Sequence, residues 1–371
     1  MKSSLTLEEE SEPELDKRLR VFLDCEDTYT LASSLIGQYM TYQKAKSNGQ
    51  CHPPLLTKVD EKDNTVKPYD SLFTLLYRGG SETKDDHIDE LIENDLKGQN
   101  FKIHISYDGS MFCGWQIQPN NDLPSVQETI IDIIDPVLGS EKRSKPIDIR
   151  VCGRTDAGVN ALGQICRART RRSDVTTRKI QEALNSQFTS NDTVPSLWCT
   201  KVEIVSDKFH PTFDATCRAY AYIFDAHALE SMVSETLGKS MTIFSLSRAV
   251  NSLLHELENA ELDYFALSFG KVKTETTNCI LYRANACVVR DDTGNLGLCI
   301  EIVGNRFLRR MVRILVATVI REAIKALSDS EVDHIDENRL VCLIKSGDRV
   351  NTARAASSKG LFFLGAIFRT K

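Results

Sequence analysis

No run of apolar residues in the 371-residue chain approaches the roughly 18 that a membrane-spanning helix needs. The opening residues, Met1 to Glu14, are acidic. They hold neither the arginines of an organellar transit peptide nor the apolar core of a secretory signal, so a soluble protein inside the cell is expected, with the cytoplasm its simplest compartment. The eleven cysteines are odd in number and include no Cys-x-x-Cys pair and no neighbouring histidine cluster. That removes zinc-type spacing, and a disulfide framework has no place in a chain of this length. Reduced, mostly buried thiols are the expectation, with no metal and no cofactor. Basic excess is missing too, since the net charge is −6. The deficit is local: residues 1–98 carry 12 Lys and Arg against 20 Asp and Glu, while the remainder carries 34 against 32. The acidity of the first quarter therefore says nothing of what the rest binds.

What is present is an ordinary globular composition, 41% hydrophobic and 26% charged, long enough for two or three domain-sized units. Residues 1–98 read as an acidic extension of unknown role. They hold one amphipathic helix over 28–46, carried by Leu31, Leu35, Tyr39 and Tyr42, and loops around Pro53-Pro54, Gly79-Gly80 and the charged run 82–90. Organised sequence starts at Phe101. Phe101, Ile103, Ile105 and Tyr107 alternate with polar residues in a half-buried strand, and Ser125-Val126-Gln127-Glu128 is a capping box opening a helix whose Ile130, Ile131, Ile134 and Val137 face inward. Trp115, after Gly114, reads as a core aromatic. A helix with Ile180, Leu184 and Phe188 at i, i+4 and i+8 precedes a strand over 197–205. The order strand-helix-strand-strand-helix-strand is that of a ferredoxin-like unit. The second half repeats the alternation: a helix over 245–257, strands over 279–289 and 296–303, and a long helix opening near Gly304. Arg306, Arg309, Arg310 and Arg313 are spaced i, i+3, i+4, i+7 and would form one basic stripe on that helix.

The chain is organised around residues 149–165. A strand enters at Ile149 to Cys152 and another leaves over 163–169; between them Gly153, Gly158 and Gly163 pin a loop that holds out Arg154, Thr155 and Asp156 in succession. Alone, Gly-Arg-Thr-Asp is as well explained by a turn in which Arg154 and Asp156 pair. The whole string Gly-Arg-Thr-Asp-Ala-Gly-Val, with Ala161 and Gly163-Gln164, resembles the signature of the tRNA pseudouridine synthase A family. Further motifs resemble that family in the expected order. They are Tyr107-Asp108-Gly109 with Gly114-Trp115-Gln116; His210 to Tyr222, with its Arg-x-Tyr-x-Tyr; Asp263 to Phe269; Phe307-Leu308 with Met311-Val312-Arg313; and Lys359 to Leu364. The resemblance spans roughly residues 101–370. Two positions depart from the pattern: Asn160 stands where His is usual, and Thr212 where Arg is frequent. The Asp-Lys-Gly-Val variant of eukaryotic relatives is absent, so the chain is closer to the bacterial type.

The resemblance implies an α+β fold: two ferredoxin-like halves, 99–224 and 225–371, sharing a curved mixed sheet, with a poorly ordered N-terminal extension. It implies isomerisation of uridine to pseudouridine in tRNA, in the anticodon arm at positions 38 to 40, by a homodimer. Breaking the C1′–N1 bond and rejoining the base through C5 needs an ionised carboxylate, a cation to keep it ionised and a flat surface for the detached base. The matching positions are Asp156, as nucleophile at C1′ or base at C2′; Arg313, as its cation; and Tyr220, as the stacking surface. Arg154 would grip a phosphate as the nucleotide flips. Thr155, Arg309 and Arg310 are further candidates for RNA contact, and Leu361 would keep the pocket apolar. A glycosidase fits less well, because it needs two flanking carboxylates and one is evident. The rival from another class is a non-catalytic RNA-binding or RNA-chaperone protein on the same fold. Loss of Asp156, Tyr220 or Arg313 would mark it, and all three are present. No family motif precedes Phe101, so residues 1–98 are expected to be dispensable for chemistry.

Overall fold

A computed structural model describes residues 13–46, 56–61, 66–68, 99–139, 147–187, 194–272, 274–329 and 335–369. The predicted Phe188 and the loops at Pro53-Pro54, Gly79-Gly80 and 82–90 lie outside them. The described residues form two compact units, named here for the side chains they carry. Residues up to Ser33, from Leu56 to Lys67 and from Tyr220 to Leu361 make the Arg313 unit; the others make the Asp156 unit.

In the Asp156 unit the chain runs β3 (Gln99–Tyr107), α3 (Val126–Leu138), β4 (Arg150–Val151), β5 (Asn160–Thr170), α4 (Thr177–Ser186) and β6 (Leu197–Val205). β3 lies between β5 and β6 and is antiparallel to both, with Ile103 opposite Cys166 on one side and Val202 on the other. β4 pairs antiparallel with β5. The order β6-β3-β5-β4 from that succession is the ferredoxin-like arrangement. Burial follows the predicted alternation, since Phe101, Ile103 and Ile105 are fully buried. The capping box forms as the sequence predicts: Ser125 Oγ accepts from the Glu128 N–H at 3.1 Å, and Glu128 Oε2 accepts from the Ser125 N–H. Ile130, Ile131 and Ile134 of α3 are buried, while Val137 is half-buried. β5 starts three residues earlier than the glycine spacing predicts, because β11 (Leu361–Phe368) pairs with it in parallel, Phe362 opposite Asn160. Gly163 admits that neighbour, since a Cβ there would lie 2.4 Å from the Leu364 carbonyl oxygen. Parallel and antiparallel pairs make the sheet mixed and the fold α+β.

The Arg313 unit repeats the succession with the end of β7 (Ala215–Asp225), α6 (Ile243–His255), β9 (Asn278–Arg290), β10 (Leu296–Gly304) and α7 (Met311–Asp329). The hairpin β9-β10 is antiparallel, β7 lies beside β10, and the short β1 (Thr57–Val59) adds to the free edge of β9. α5 (Ala226–Leu237), capped by Asp225, and α8 (Asn338–Lys345) complete it. β7 begins in one unit and ends in the other.

The first quarter contains more structure than its sequence reading. α1 (Glu14–Asp24) precedes the predicted helix, which runs as α2 (Thr30–Lys46). Leu19, Phe22 and Leu23 of α1 stand at i, i+3, i+4 and are buried, the Phe22 ring stacking on Phe224 at 6.0 Å. Arg321, only 6% exposed on α7, donates to Asp16 Oδ1 at 3.2 Å and fixes the start of α1. Leu31 of α2 settles over Gly297 of β10, where a Cβ would come within 2.3 Å of its methyl. Both helices are therefore part of the core. Their burial bears on the fold, whereas the expectation for this quarter concerned the chemistry alone. No helix among the described residues is long and apolar enough to cross a membrane.

Candidate active site

In the Asp156 unit, the loop between β4 and β5 is held at its base by hydrogen bonds to its neighbours. The Cys152 N–H donates to the Ile165 carbonyl at 2.8 Å, and Gln164 Nε2 donates to the Gly153 carbonyl at 2.8 Å. Thr155 is buried, its hydroxyl sharing a 2.8 Å hydrogen bond with Tyr107, while its carbonyl accepts from the Trp115 N–H. Burial pushes the Tyr107 phenol up to about 12, so it stays neutral. Gly158, at φ 77°, closes the turn beside the Val159 N–H to Asp156 carbonyl bond. This geometry leaves Arg154 exposed and Asp156 half-buried at the loop tip. Thr155, a candidate for RNA contact, has its hydroxyl on Tyr107.

The first strand's motif is the clamp on this loop. A Cβ on Gly109 would lie 2.3 Å from the Val159 carbonyl group, and one on Gly114 would lie 3.0–3.2 Å from the backbone of residues 155–157. Trp115 is buried as read from the sequence, and Gln116 is exposed. Asn160 is buried and its Oδ1 accepts from the Gly109 N–H at 2.8 Å, so the departure from the family pattern fills a loop-to-loop hydrogen bond. Replacing Gly109 by Ala forces the two loops apart; the expected cost is about 1–3 kcal/mol of stability. Turnover should fall as well, as single-turnover assays beside a thermal melt would record.

Thr212, the second departure, donates its hydroxyl to the Val151 carbonyl at 2.6 Å. Arg218 donates to the Thr212 carbonyl at 2.7 Å and to the Cys152 carbonyl at 3.2 Å, stapling the segment that enters the Asp156 loop. Sequence placed Arg218 beside the tyrosines without giving it this task.

In the Arg313 unit, Tyr220 is half-buried with its ring edge-to-face on Phe307, centroids 5.0 Å apart. Tyr222 lies deeper, its hydroxyl donating to the Ser357 carbonyl at 2.8 Å. Gly360 accommodates that ring, since a Cβ there would meet it at 2.6 Å. Leu361 is buried at the start of β11. Arg313, in the first turn of α7, donates from Nε to the Ala356 carbonyl at 2.6 Å and accepts from the Ala356 N–H through its own carbonyl.

The helical arginine stripe does not form. α7 starts at Met311, so Arg306, Arg309 and Arg310 precede it, and Arg310 takes a left-handed backbone at φ 58°. Arg309 and Arg310 converge instead on one ring: their guanidiniums lie 5.3 and 4.0 Å from the centre of Phe269, which is 43% exposed. Arg310 and Arg313 also line a cleft of about 400 Å³ with Arg349, Arg354 and Arg20. Arg349 donates to Ser268 Oγ at 2.7 Å and covers Phe265. None of these three added arginines stands in a periodic pattern, and only their convergence on the cleft reveals them.

No family model matches the chain. It is similar to curated proteins named tRNA pseudouridine synthase A. Similarity to that of Brachyspira hyodysenteriae is 32% identity over 273 residues, covering 73% of this chain and 98% of the relative. Against the Bacillus sp. protein the figures are 30% over 273 residues, 72% and 99%, and against that of Thermotoga petrophila 28% over 266 residues, 71% and 97%.

Proposed function

The chain belongs to the tRNA pseudouridine synthase A family, and we propose that it isomerises uridine to pseudouridine in tRNA, at positions 38 to 40 of the anticodon arm and as a homodimer in the cytoplasm. One observation carries the reading: similarity over nearly the whole length of relatives of that name, in a chain with Asp156 at the tip of a loop braced on both flanks.

The proposed reaction begins with a target uridine unstacked from the RNA, its backbone gripped by Arg154, Arg309 and Arg310. Asp156, ionised, acts as nucleophile at C1′ or as base at C2′, and the C1′–N1 bond breaks. The uracil turns while stacked on Tyr220, and C5 bonds to C1′ as the Asp156–C1′ ester bond breaks or, on the base route, as Asp156 returns the proton to C2′. The proton on C5 is lost and N1 gains one, so no atom is added or removed overall. Arg313 supplies positive charge to the reaction, and Leu361 contributes an apolar wall against water. Thr155 acts as a positioning residue, because its hydroxyl is committed to Tyr107.

Mapping pseudouridine in cellular tRNA with and without the protein tests this function. Loss of the modification at anticodon-arm uridines is expected; an unchanged map would overturn the reading. Binding of tRNA should also weaken steeply between low and moderate salt, since phosphate contacts release counterions. Affinity that ignores salt would point to a different class of ligand.

A further inference from the structure

The arginine cleft has a wall that comes from outside the family motifs. Arg20 and Asp24, on α1, line it with Arg310, Arg313, Arg349 and Arg354. Five guanidiniums against one carboxylate face about 400 Å³. The arginines reach it from α1, from the turn before α7, from α7 and from the segment after α8. Neutral groups hold two of them in place: Arg313 donates to the Ala356 carbonyl, and Arg349 to Ser268 Oγ. These bonds orient the two guanidiniums. Such a concentration of cations in one concave site favours a polyanion over any neutral ligand.

α1 is fixed where it stands. Leu19 and Leu23 flank Arg20 on the buried face, and Asp16 is bound to the buried Arg321. Arg20 therefore meets a ligand with little further loss of freedom. Arg18, one turn from Glu14 and bound to it on the exposed face, has no part in the cleft.

We infer that α1 forms one wall of an RNA-backbone site, in which Arg20 binds a phosphate of the substrate tRNA beside Arg310, Arg349 and Arg354. This rests on the tRNA-modifying reading and assigns the N-terminal helix a part in substrate binding. As a contact to the RNA backbone, Arg20 acts on affinity rather than on the chemical step.

The test uses the full chain with Arg20→Gln, Arg20→Lys and Arg18→Gln, binding to a tRNA transcript being read by fluorescence anisotropy across a salt series. Arg20→Gln should raise Kd about tenfold, the effect of losing one charge-assisted contact, and shallow the salt slope by about one phosphate contact. Arg20→Lys should recover most of the loss, Arg18→Gln should match wild type, and single-turnover rates at saturating tRNA should be equal throughout. Thermal melts identify any variant whose fold has changed; for such a variant, failure of Lys to rescue overturns the inference. So does wild-type affinity in Arg20→Gln, or weaker binding with an unchanged salt slope. Wild-type turnover is measured alongside. A wild type that binds tRNA and makes no pseudouridine removes the catalytic reading while binding still decides the Arg20 assignment.

Discussion

Asp156→Asn should bind tRNA within roughly tenfold of wild type, about 1.4 kcal/mol, and make no detectable pseudouridine. The substitution keeps the side chain's size and removes the charge proposed to react at the sugar. The loop around it is set by other bonds. Cys152 is tied to Ile165, Gly153 to Gln164, Thr155 to Tyr107 and Asn160 to Gly109. These survive the change, so the backbone at position 156 stays where it is, and the arginines proposed to bind phosphate are untouched. Binding lost together with activity would make Asp156 a structural anchor. Conversion at a comparable rate would refute its catalytic assignment. A non-catalytic RNA-binding protein would give no product in either form, which the wild-type control separates.

The second large effect concerns the first quarter of the chain. A protein starting near Leu96 should fail to fold cooperatively. Removing α1 uncovers Phe224 and the α7 surface around Arg321; removing α2 uncovers the sheet at Gly297. Tyr29 leaves with them, and it packs against both Tyr222 and Phe224. Each large apolar side chain returned to water forfeits about 1.5–3 kcal/mol, while a domain is stable by roughly 5–15 kcal/mol. Three or four such losses consume that margin. A milder variant grades the claim: Phe22→Ala should cost about 3–5 kcal/mol, read as a lower denaturation midpoint. A soluble truncation with a melting temperature near that of the full chain and full turnover would contradict this account.

Much of the fold was legible because its signals are local. The alternation from Phe101 to Tyr107, the capping box at Ser125 and the glycines at positions 153 and 158 each specify a few neighbouring residues, and the structure places strand, helix and loop there. Periodicity failed at the arginines. The spacing of 306 to 313 assumed one continuous helix, and the left-handed backbone at Arg310 breaks it. Phe269, whose ring gathers Arg309 and Arg310, lies about forty residues earlier and gives no periodic signal. The N-terminal helix was missed for a related reason. Its apolar face of Leu19, Phe22 and Leu23 is short and set among charges, and its partners, Phe224 and Arg321, are hundreds of residues away. The departures at Asn160 and Thr212 could be seen in the sequence, but their hydrogen bonds to Gly109 and Val151 could not.

The central claim is that this chain moves the glycosidic bond of a tRNA uridine from N1 to C5. The bond change expels the hydrogen on C5, so a tRNA transcript labelled with tritium at C5 of uridine reports it directly. Purified full-length protein should release tritium to solvent in proportion to the pseudouridine formed, without added metal or cofactor, and Asp156→Asn should release none. Tight binding of the labelled tRNA with no tritium released by the wild type would contradict the account.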